Sequence, residues 1–255
     1  MIEINSYADG KLISMETINQ WEAKRLVVVM DLIHRLLDIK PPPADKKDTR
    51  TREEQIDDLT ELKIKHSDKI LKKMEFYFCI SGIATWIPSF LSFGKRKFSA
   101  VDVVISGTDL SIATFKQRMD LLMLDEDLQY VKMRLAACPD HHLLANVDEY
   151  TMVVVEATGG SPMPSRFYIR SGDMEGLRSV TEPGFEILMI GAARIQGGRV
   201  IGGIRHQIRK EGDSLKLKFL VEFPFLLPDF MIKQHQLHLM CEFNHWVRNV
   251  LSMRP

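Results

Sequence analysis

The first regular pattern in the chain is an apolar stripe close to its start. Apolar residues recur at three- and four-residue spacing, at Ile18, Trp21, Val28, Val29, Leu32, Ile33, Leu36 and Leu37. This spacing predicts an amphipathic helix, with Ser14 as its N-cap and Glu16 near its positive end. The helix must end before Pro41, Pro42 and Pro43, because proline cannot donate a backbone hydrogen bond.

A long charged segment without glycine follows the prolines. Between residues 44 and 73 its apolar anchors are Ile56, Leu59, Leu62, Ile64, Ile70 and Leu71. The first part is typical of a flexible linker and the second part of a partly exposed helix. We therefore predict three parts: an N-terminal helical segment (1–40), a proline-led charged linker with an exposed helix (41–73), and a globular α+β domain (74–255).

From Met74 onward, aromatic, β-branched and alternating runs predict strands. The runs are EFYFCISG (75–82), FSAVDVVISG (98–107), EYTMVVVEA (149–157), RFYIRSG (166–172) and SLKLKFLVEF (214–223). Two helices are expected between the second and third runs, and two more strands pair across the turn at Gly197 and Gly198. The predicted fold class is α+β: an antiparallel sheet core with packed helices, preceded by an N-terminal helix on a proline-rich linker.

Composition narrows the class of protein only slightly. The chain has 255 residues, of which 45% are hydrophobic and 27% charged, as in an ordinary globular protein. Lys plus Arg equals Asp plus Glu at 34 each, so any electrostatic function must be local. Three scattered cysteines indicate a reducing compartment, and the start of the chain lacks a secretion signal. No apolar run approaches the ~20 residues of a spanning helix, so we expect an intracellular protein that meets a membrane only at its surface.

The stretch HQLHLMCEFNHW near the C-terminus raises the question of a metal site. On a helix, His235, His238, Cys241 and His245 share about a third of the circumference. These donors span ~15 Å of helix and cannot all converge on one ion. At most Cys241 and His245 would bind a metal, with partners from elsewhere. Apolar residues occupy the other side of the helix, so packing or an interface is favoured and no metal is predicted.

A second group, CPDHH from Cys138 to His142, also invites a metal or nucleophile interpretation. The simpler interpretation is that Pro139 ends a helix and the polar residues line its loop. No HExxH motif, second Cys-x-x-Cys or nucleophile elbow supports catalysis, so no catalytic residue and no cofactor are predicted. The glycines of QGGRVIGG precede β-type residues, which favours a kinked hairpin over a phosphate-binding loop.

The most informative candidate is GIATWIPSFLSFGKRKF, from Gly82 to Phe98. Three cations directly follow an apolar stretch that is too short to span lipid. Trp and Phe insert well at the headgroup boundary, and each nearby basic residue adds ~1 kcal/mol of attraction to anionic lipid. Core packing and a nucleic-acid patch are the alternatives. The predicted membrane-binding residues are Trp86, Ile87, Phe90, Phe93, Lys95, Arg96 and Lys97.

Three segments of the chain resemble rhabdovirus matrix proteins. LDIKPPPADKKDT, with Pro41, Pro42 and Pro43, resembles the proline-rich budding motif that precedes a polar linker in that family. KKMEFYFCISGI resembles the aromatic strand that opens their globular domain, and SFGKRKFSAVDVVISG resembles their Gly-Lys-Arg segment. The chain differs where Ala44 and Asp45 follow the prolines in place of a Pro-Pro-x-Tyr motif, and where a helix replaces the basic N-terminus.

The resemblance implies a non-enzymatic viral structural protein that supports virion assembly and budding. Its implied partners are an anionic membrane surface, the viral nucleocapsid and further copies of the chain that associate through helical ends. Its implied locations are the virion, the host cytoplasm and inner membrane surface, and the host nucleus in a plant-infecting branch. Two other classes stay open: a nucleic-acid-binding accessory or movement protein with RNA contact, and a small enzyme that uses Cys138 or His142 with an acid such as Glu149.

Overall fold

The structure of the chain, a computed structural model, describes residues 2–40, 49–161 and 163–253. The helices in these ranges are α1 (Met15–Leu37), α2 (Arg52–Lys65), α3 (Ser67–Leu91), α4 (Ile112–Leu124), α5 (Leu128–Ala136) and α6 (Asp229–Ser252). The strands are β1 (Glu3–Ala8), β2 (Lys11–Ile13), β3 (Arg96–Ser106), β4 (His141–Asn146), β5 (Thr151–Glu156), β6 (Ser165–Ser171), β7 (Glu186–Arg194), β8 (Val200–Glu211) and β9 (Ser214–Pro224). The predicted motif Pro41, Pro42 and Pro43 lies outside the described residues.

The nine strands of the described residues form one antiparallel sheet in the order β2-β1-β3-β9-β8-β7-β6-β5-β4. Strand β1 pairs with β3, where Ser6 lies opposite Val103. Strand β9 returns to the centre of the sheet between β3 and β8, which places Phe219 opposite Val101. The predicted α+β class with an antiparallel sheet core and an N-terminal helix is confirmed.

Helix α6 covers one face of the central strands and forms the main core with them. The alternating pattern of β3 and β9 buries Val101, Val103, Ile105, Leu215, Leu217 and Phe219 on this face. The other face of β9 carries Lys216 and Lys218, as its alternation predicted. The rings of Phe219 on β9 and Phe243 on α6 stack with centroids 3.4 Å apart. Buried residues occur on both apolar sides of α6, since it lies between the sheet and α1, α4 and α5.

A second apolar cluster joins the first three helices to the sheet. Its buried members are Leu26, Val29, Leu32, Ile33, Leu36, Leu37, Ile56, Leu59, Ile70, Met74, Phe78 and Val155. Ser14 caps α1 as predicted, because its Oγ accepts a hydrogen bond from Thr17 N at 3.2 Å. The predicted helix in the charged segment is α2, and Thr51 and Glu54 form a capping box at its start. The division of the chain at residues 40 and 73 stays a prediction.

The segment EFYFCISG is not the strand that its composition predicted. It lies inside α3, where Ile70, Met74, Phe78 and Ser81 repeat at helical spacing and are buried. The intervening Phe76 is 70% exposed. The helical period that begins before this segment therefore overrides its local β-propensity. The strands predicted at 98–107, 149–157, 166–172 and 214–223 and the hairpin across Gly197 and Gly198 are confirmed as β3, β5, β6, β9 and the β7–β8 pair.

Candidate functional site

The predicted membrane-binding rings lie at the C-terminal end of α3 and in the turn that leads to β3. Ile87, Phe90 and Phe93 are 45%, 63% and 84% exposed, and Trp86 is half-buried. Phe93 adopts a left-handed backbone conformation with φ of 49°. That conformation costs a non-glycine residue ~1–2 kcal/mol. These side chains therefore lie on the surface and not between strands.

A neighbouring loop extends this apolar surface. Phe225 N donates to Lys95 O at 3.2 Å, and Leu226 N donates to Ser92 Oγ at 3.1 Å, so the loop after β9 is bound to the end of α3. Both loop side chains are about half exposed. We name the whole region the α3-tip surface, which consists of Trp86, Ile87, Phe90, Leu91, Phe93, Phe225 and Leu226.

The cations of the α3-tip surface differ from the predicted triplet. Lys95 is exposed, as expected. The expectation of an accessible Arg96 is wrong, because its side chain is 5% exposed and its Nε lies 3.9 Å from a carboxylate oxygen of the buried Glu222. Lys97 is engaged as well, since its Nζ donates to Leu227 O at 2.8 Å and to Asp229 Oδ1 at 2.6 Å.

Two arginines that the sequence pattern did not single out border the same surface. Arg178 is exposed, and its Nε donates to Gly94 O at 3.0 Å. Arg199 is exposed, and its guanidinium lies 4.9 Å from the centre of the Trp86 ring. The accessible cations beside the exposed rings are therefore Lys95, Arg178 and Arg199.

Helix α3 is, within the described residues, the one helix long and apolar enough to cross a bilayer by length and composition. A buried core helix of a soluble protein can have the same length and apolar composition. The first half of α3 contributes Ile70, Met74 and Phe78 to the second apolar cluster. Only 17% of the apolar stretch of α3 is buried in the folded chain, and its exposed side chains include Phe76 as well as Ile83 and Phe90.

A second candidate site lies inside the molecule, between the sheet and α6. We name it the Cys–His cluster, and its members are Cys138, Asp140, His141, Glu156, His238 and Glu242. Pro139 follows α5 as predicted, but the expected polar loop is wrong, because Cys138, Asp140, His141 and His142 are at most 3% exposed. His141 N donates to Cys138 O at 3.1 Å, and this turn leads directly into β4.

Donor atoms from three elements converge in the Cys–His cluster. Cys138, His141 and His238 each offer one ligand atom, and these three atoms lie within 4.8 Å of one another. Cys138 Sγ is 3.7 Å from His238 Nδ1. A carboxylate oxygen of Glu242 lies 3.0 Å from His141 Nε2 and 3.6 Å from His238 Nε2. Glu156 adds a carboxylate oxygen at 3.9 Å and 3.7 Å from the same two nitrogens.

Buried hydrogen bonds hold the cluster in position. His141 Nδ1 lies 3.0 Å from Arg134 O, and since a carbonyl only accepts, this nitrogen carries the proton. Arg25 of α1 donates to Asp140 through Nε at 2.8 Å. Lys63 of α2 donates to the carbonyl oxygens of Pro139 and His141. The orientation of the ligand atoms is thus fixed from outside the cluster.

The charges in the cluster depend on one another. Burial raises the pKa of the Cys138 thiol, but a hydrogen bond with Cys241 and the charge of His238 bring that pKa to about 5. Burial lowers the pKa of His238, yet the charges of Cys138 and Glu156 hold it well above its ordinary value. Burial likewise raises the pKa of Glu242, and hydrogen bonds from His141 and His238 hold it far below its ordinary value. The cluster therefore places the acidic groups Cys138 and Glu242 beside the imidazoles of His141 and His238, which balance their charge.

The sequence suggested that Cys138 or His142 pairs with an acid such as Glu149, and that Cys241 pairs with His245. Only the second pairing is present among the described residues. His142 is buried, and neither of its ring nitrogens has a hydrogen-bond partner among the described residues. Glu149 lies in the exposed loop between β4 and β5, away from the buried thiol. Cys241 and His245 do meet, around Glu22 of α1, whose Oε1 lies 2.8 Å from His245 Nε2 and 3.4 Å from Cys241 Sγ.

The sequence missed the Cys–His cluster because its two halves are far apart in the chain. Cys138 and His141 precede His238 and Glu242 by about 100 positions, and only the antiparallel return of the sheet brings them together. The usable signal was local: two stretches each supplied Cys and His within a few positions. His235, which shares a helix face with His238, does not take part and instead lies 3.0 Å from Ser99 Oγ.

Comparison with known proteins gives no family. No protein-family model matches the chain, and no curated protein matches it. Among solved structures, protein Ms6760 from Mycobacterium smegmatis is similar over 62% of this chain and 92% of its own chain. The sequence identity is 7% and the TM-score is 0.34, so this similarity carries no argument about function. The resemblance to rhabdovirus matrix proteins stays a prediction.

Proposed function

We propose that the chain is a non-enzymatic structural protein that docks on anionic membranes through the α3-tip surface. The observation that supports this proposal is the exposure of aromatic and aliphatic side chains at the end of α3, directly beside the exposed cations Lys95, Arg178 and Arg199. An isolated exposed apolar residue needs no explanation, but a continuous apolar surface rimmed by charge is typical of an interaction site.

The apolar part of the surface has the size and chemistry for shallow insertion. Phe90 and Phe93 are 63% and 84% exposed. Full burial of one such side chain contributes ~1.5–3 kcal/mol, so two rings supply a substantial part of a membrane-binding free energy. Trp86, next to them, has a ring with an apolar body and a polar N–H, which suits the headgroup boundary.

The charged part of the surface selects the kind of membrane. Lys95, Arg178 and Arg199 are exposed around the rings, and each contributes ~1 kcal/mol near an anionic bilayer. The nearby carboxylates are already engaged, since Asp229 pairs with Lys97 and Glu222 with Arg96. The surface is therefore locally cationic although the whole chain carries no net charge.

The alternative of an enzyme gains no support from the buried thiol. Cys138 and His238, which form the close thiol–imidazole pair, are 0% and 1% exposed. A nucleophile must come within bonding reach of a substrate atom, and such an atom has no access to this pair in the folded chain. Viral origin, nucleocapsid binding, self-association and RNA contact stay predictions from the sequence.

Flotation of the full chain with phosphatidylcholine vesicles, with and without phosphatidylserine, tests the proposal. We expect flotation with the anionic vesicles that decreases as salt is raised. Lys95→Glu should weaken the partition coefficient roughly 30-fold, because reversing one charge changes the free energy by ~2 kcal/mol. Phe93→Gly should also weaken the partition coefficient. Because glycine adopts the left-handed conformation without strain, the free energy of unfolding of this variant should be equal to or higher than that of the wild type.

Lys24→Glu is the matched control. Lys24 is exposed on α1, so this variant makes the same charge change away from the α3-tip surface and should float like the wild type. Reversal of all three predicted cations is a poor test, because Arg96 and Lys97 have structural partners. Equal flotation of wild type, Lys95→Glu and Phe93→Gly would contradict the proposal. So would binding that is independent of phosphatidylserine.

A further inference from the structure

We propose that the Cys–His cluster is a zinc site in which Cys138, His141 and His238 bind the ion and Glu242 supplies the fourth ligand. Zinc binds thiolate, imidazole and carboxylate ligands and is almost always four-coordinate in structural sites. The site is separate from the α3-tip surface, so it does not depend on the proposed membrane function.

The distances between donor atoms fit a tetrahedral ion. With bonds of ~2.0–2.3 Å, two ligand atoms of one tetrahedral zinc lie ~3.3–3.7 Å apart. Cys138 Sγ is 3.7 Å from His238 Nδ1, and Glu242 Oε2 is 3.0 Å from His141 Nε2. All three donors of Cys138, His141 and His238 lie within 4.8 Å of one another, so a contraction of at most ~1 Å brings them to the separations of one tetrahedral ion.

The surrounding hydrogen bonds are those of a metal site. A histidine that binds metal commonly donates its other ring N–H to a backbone carbonyl or a carboxylate, which fixes the tautomer. His141 does this, since its Nδ1–H donates to Arg134 O at 3.0 Å and leaves Nε2 directed at Glu242. With Nδ1 of His238 facing Cys138, the other ring nitrogen, Nε2, lies 3.7 Å from Glu156 Oε2, a carboxylate on the opposite side of the ring.

The charge of the cluster also calls for a cation. Cys138 and Glu242 are buried and face the two ring nitrogens of His238, and Arg25 is already paired with Asp140. Buried anions are stable only beside positive charge. A divalent ion supplies this charge and leaves both histidines neutral, as coordination requires. Because Cys138, His141 and His238 are at most 1% exposed, the site is closed and the ion is structural.

The decisive measurement is the metal content of the full chain, expressed with added zinc and purified without chelator. We expect about one zinc per chain by mass spectrometry of the elements. The chain expressed with cobalt should show the near-ultraviolet thiolate-to-cobalt absorption of a cysteine ligand. Folded wild-type protein that contains neither zinc nor cobalt, or that holds cobalt without the thiolate absorption, would overturn the proposal.

Cysteine variants locate the ion within the molecule. Cys138→Ser should reduce zinc affinity by more than the roughly 10- to 100-fold typical of outer-shell changes. The matched control is Cys79→Ser, which removes an exposed thiol on α3 and should keep the full zinc content. Loss of the ion in Cys241→Ser but not in Cys138→Ser would overturn the assignment, because it would place the ion at Glu22, Cys241 and His245. If Cys138→Ser does not fold, Cys241→Ser decides, because a retained ion supports the assignment to Cys138 and a lost ion overturns it.

Discussion

At the scale of single residues, His206 of β8 makes the stability of the chain depend on pH. Its ring packs against Phe219 and Phe243, and Leu220 N donates to its Nδ1 at 3.2 Å. Burial lowers the pKa of His206 to about 4, although the charge of Glu242 acts in the opposite direction. Between that value and an unfolded pKa of about 6.5, the unfolded chain binds a proton that the folded chain does not. Folding stability therefore falls as pH decreases through this range.

We predict that His206→Asn removes this pH dependence. The asparagine Oδ1 keeps an acceptor for Leu220 N–H but does not titrate. The variant should be less stable than the wild type at neutral pH because ring packing is lost. The difference in the free energy of unfolding should shrink by up to ~3 kcal/mol as pH falls from about 7 to about 4. Urea unfolding of both proteins across this range measures it, and a constant difference would contradict the prediction.

At the scale of secondary-structure elements, α4 is stabilised at its C-terminus by an arginine from α5. Arg134 is 0% exposed, and its Nη1 donates to the carbonyl oxygens of Leu122, Met123 and Asp125 at 3.0, 3.2 and 2.7 Å. The last carbonyl groups of a helix have no partner within the helix, and a cation there also interacts favourably with the helix dipole. The Arg134 side chain therefore caps the C-terminus of α4, which has Asp125 and not glycine at its C-cap position.

Arg134→Met should cost about 3 kcal/mol of unfolding free energy, because it leaves buried carbonyl oxygens without donors. Faster amide hydrogen exchange in the last turn of α4 should accompany the loss. The comparison variant is Ser111→Ala, which removes the N-cap bond to Thr114 N and should cost only about 1 kcal/mol. If the two variants were equally stable, the arginine would not be the main support of this helix.

Some helices and strands were predictable from the sequence pattern and others were not. β3, β9 and α1 were predictable because each repeats one period over more than ten residues, against a single buried face. α3 was not, since the segment 75–82 in its middle has strand composition through Phe76, Tyr77, Phe78 and Ile80. β4 was missed because it begins with the polar pair His141 and His142, and the partners of His141 lie on the distant helices α2 and α6.

At the scale of the whole molecule, the fold class was predictable and the interior site was not. Local patterns specify which residues form strands and helices, but not which distant residues meet. The cluster forms because β4, β5 and α6 bring Cys138, Glu156 and His238 to one place. The sequence left the exposure of the α3-tip rings open, because core packing of the same apolar stretch was an alternative interpretation. The burial of Arg96 was not predictable, because its partner Glu222 lies on another strand.

The predicted domain boundary at residue 74 leads to a test of how the whole chain is assembled. A cut there divides α3 (Ser67–Leu91) and removes α1, α2 and the β1–β2 pair. The second apolar cluster would lose Ile33 and Leu59, and Asp140 would lose Arg25. Strand β3 would become an open edge, which favours association between chains.

We therefore expect the fragment 74–255 to lack a cooperative unfolding transition and to bind a hydrophobic dye, whereas the full chain unfolds in one transition. Circular dichroism and calorimetry of both proteins, prepared in the same buffer with zinc, measure this difference. The fragment 2–253, which keeps every described element, is the control and should melt like the full chain. A cooperative transition of 74–255 within about 2 °C of the full chain would instead establish residue 74 as a true boundary, because the loss of buried contacts from α1 and α2 would then cost less than about 1 kcal/mol.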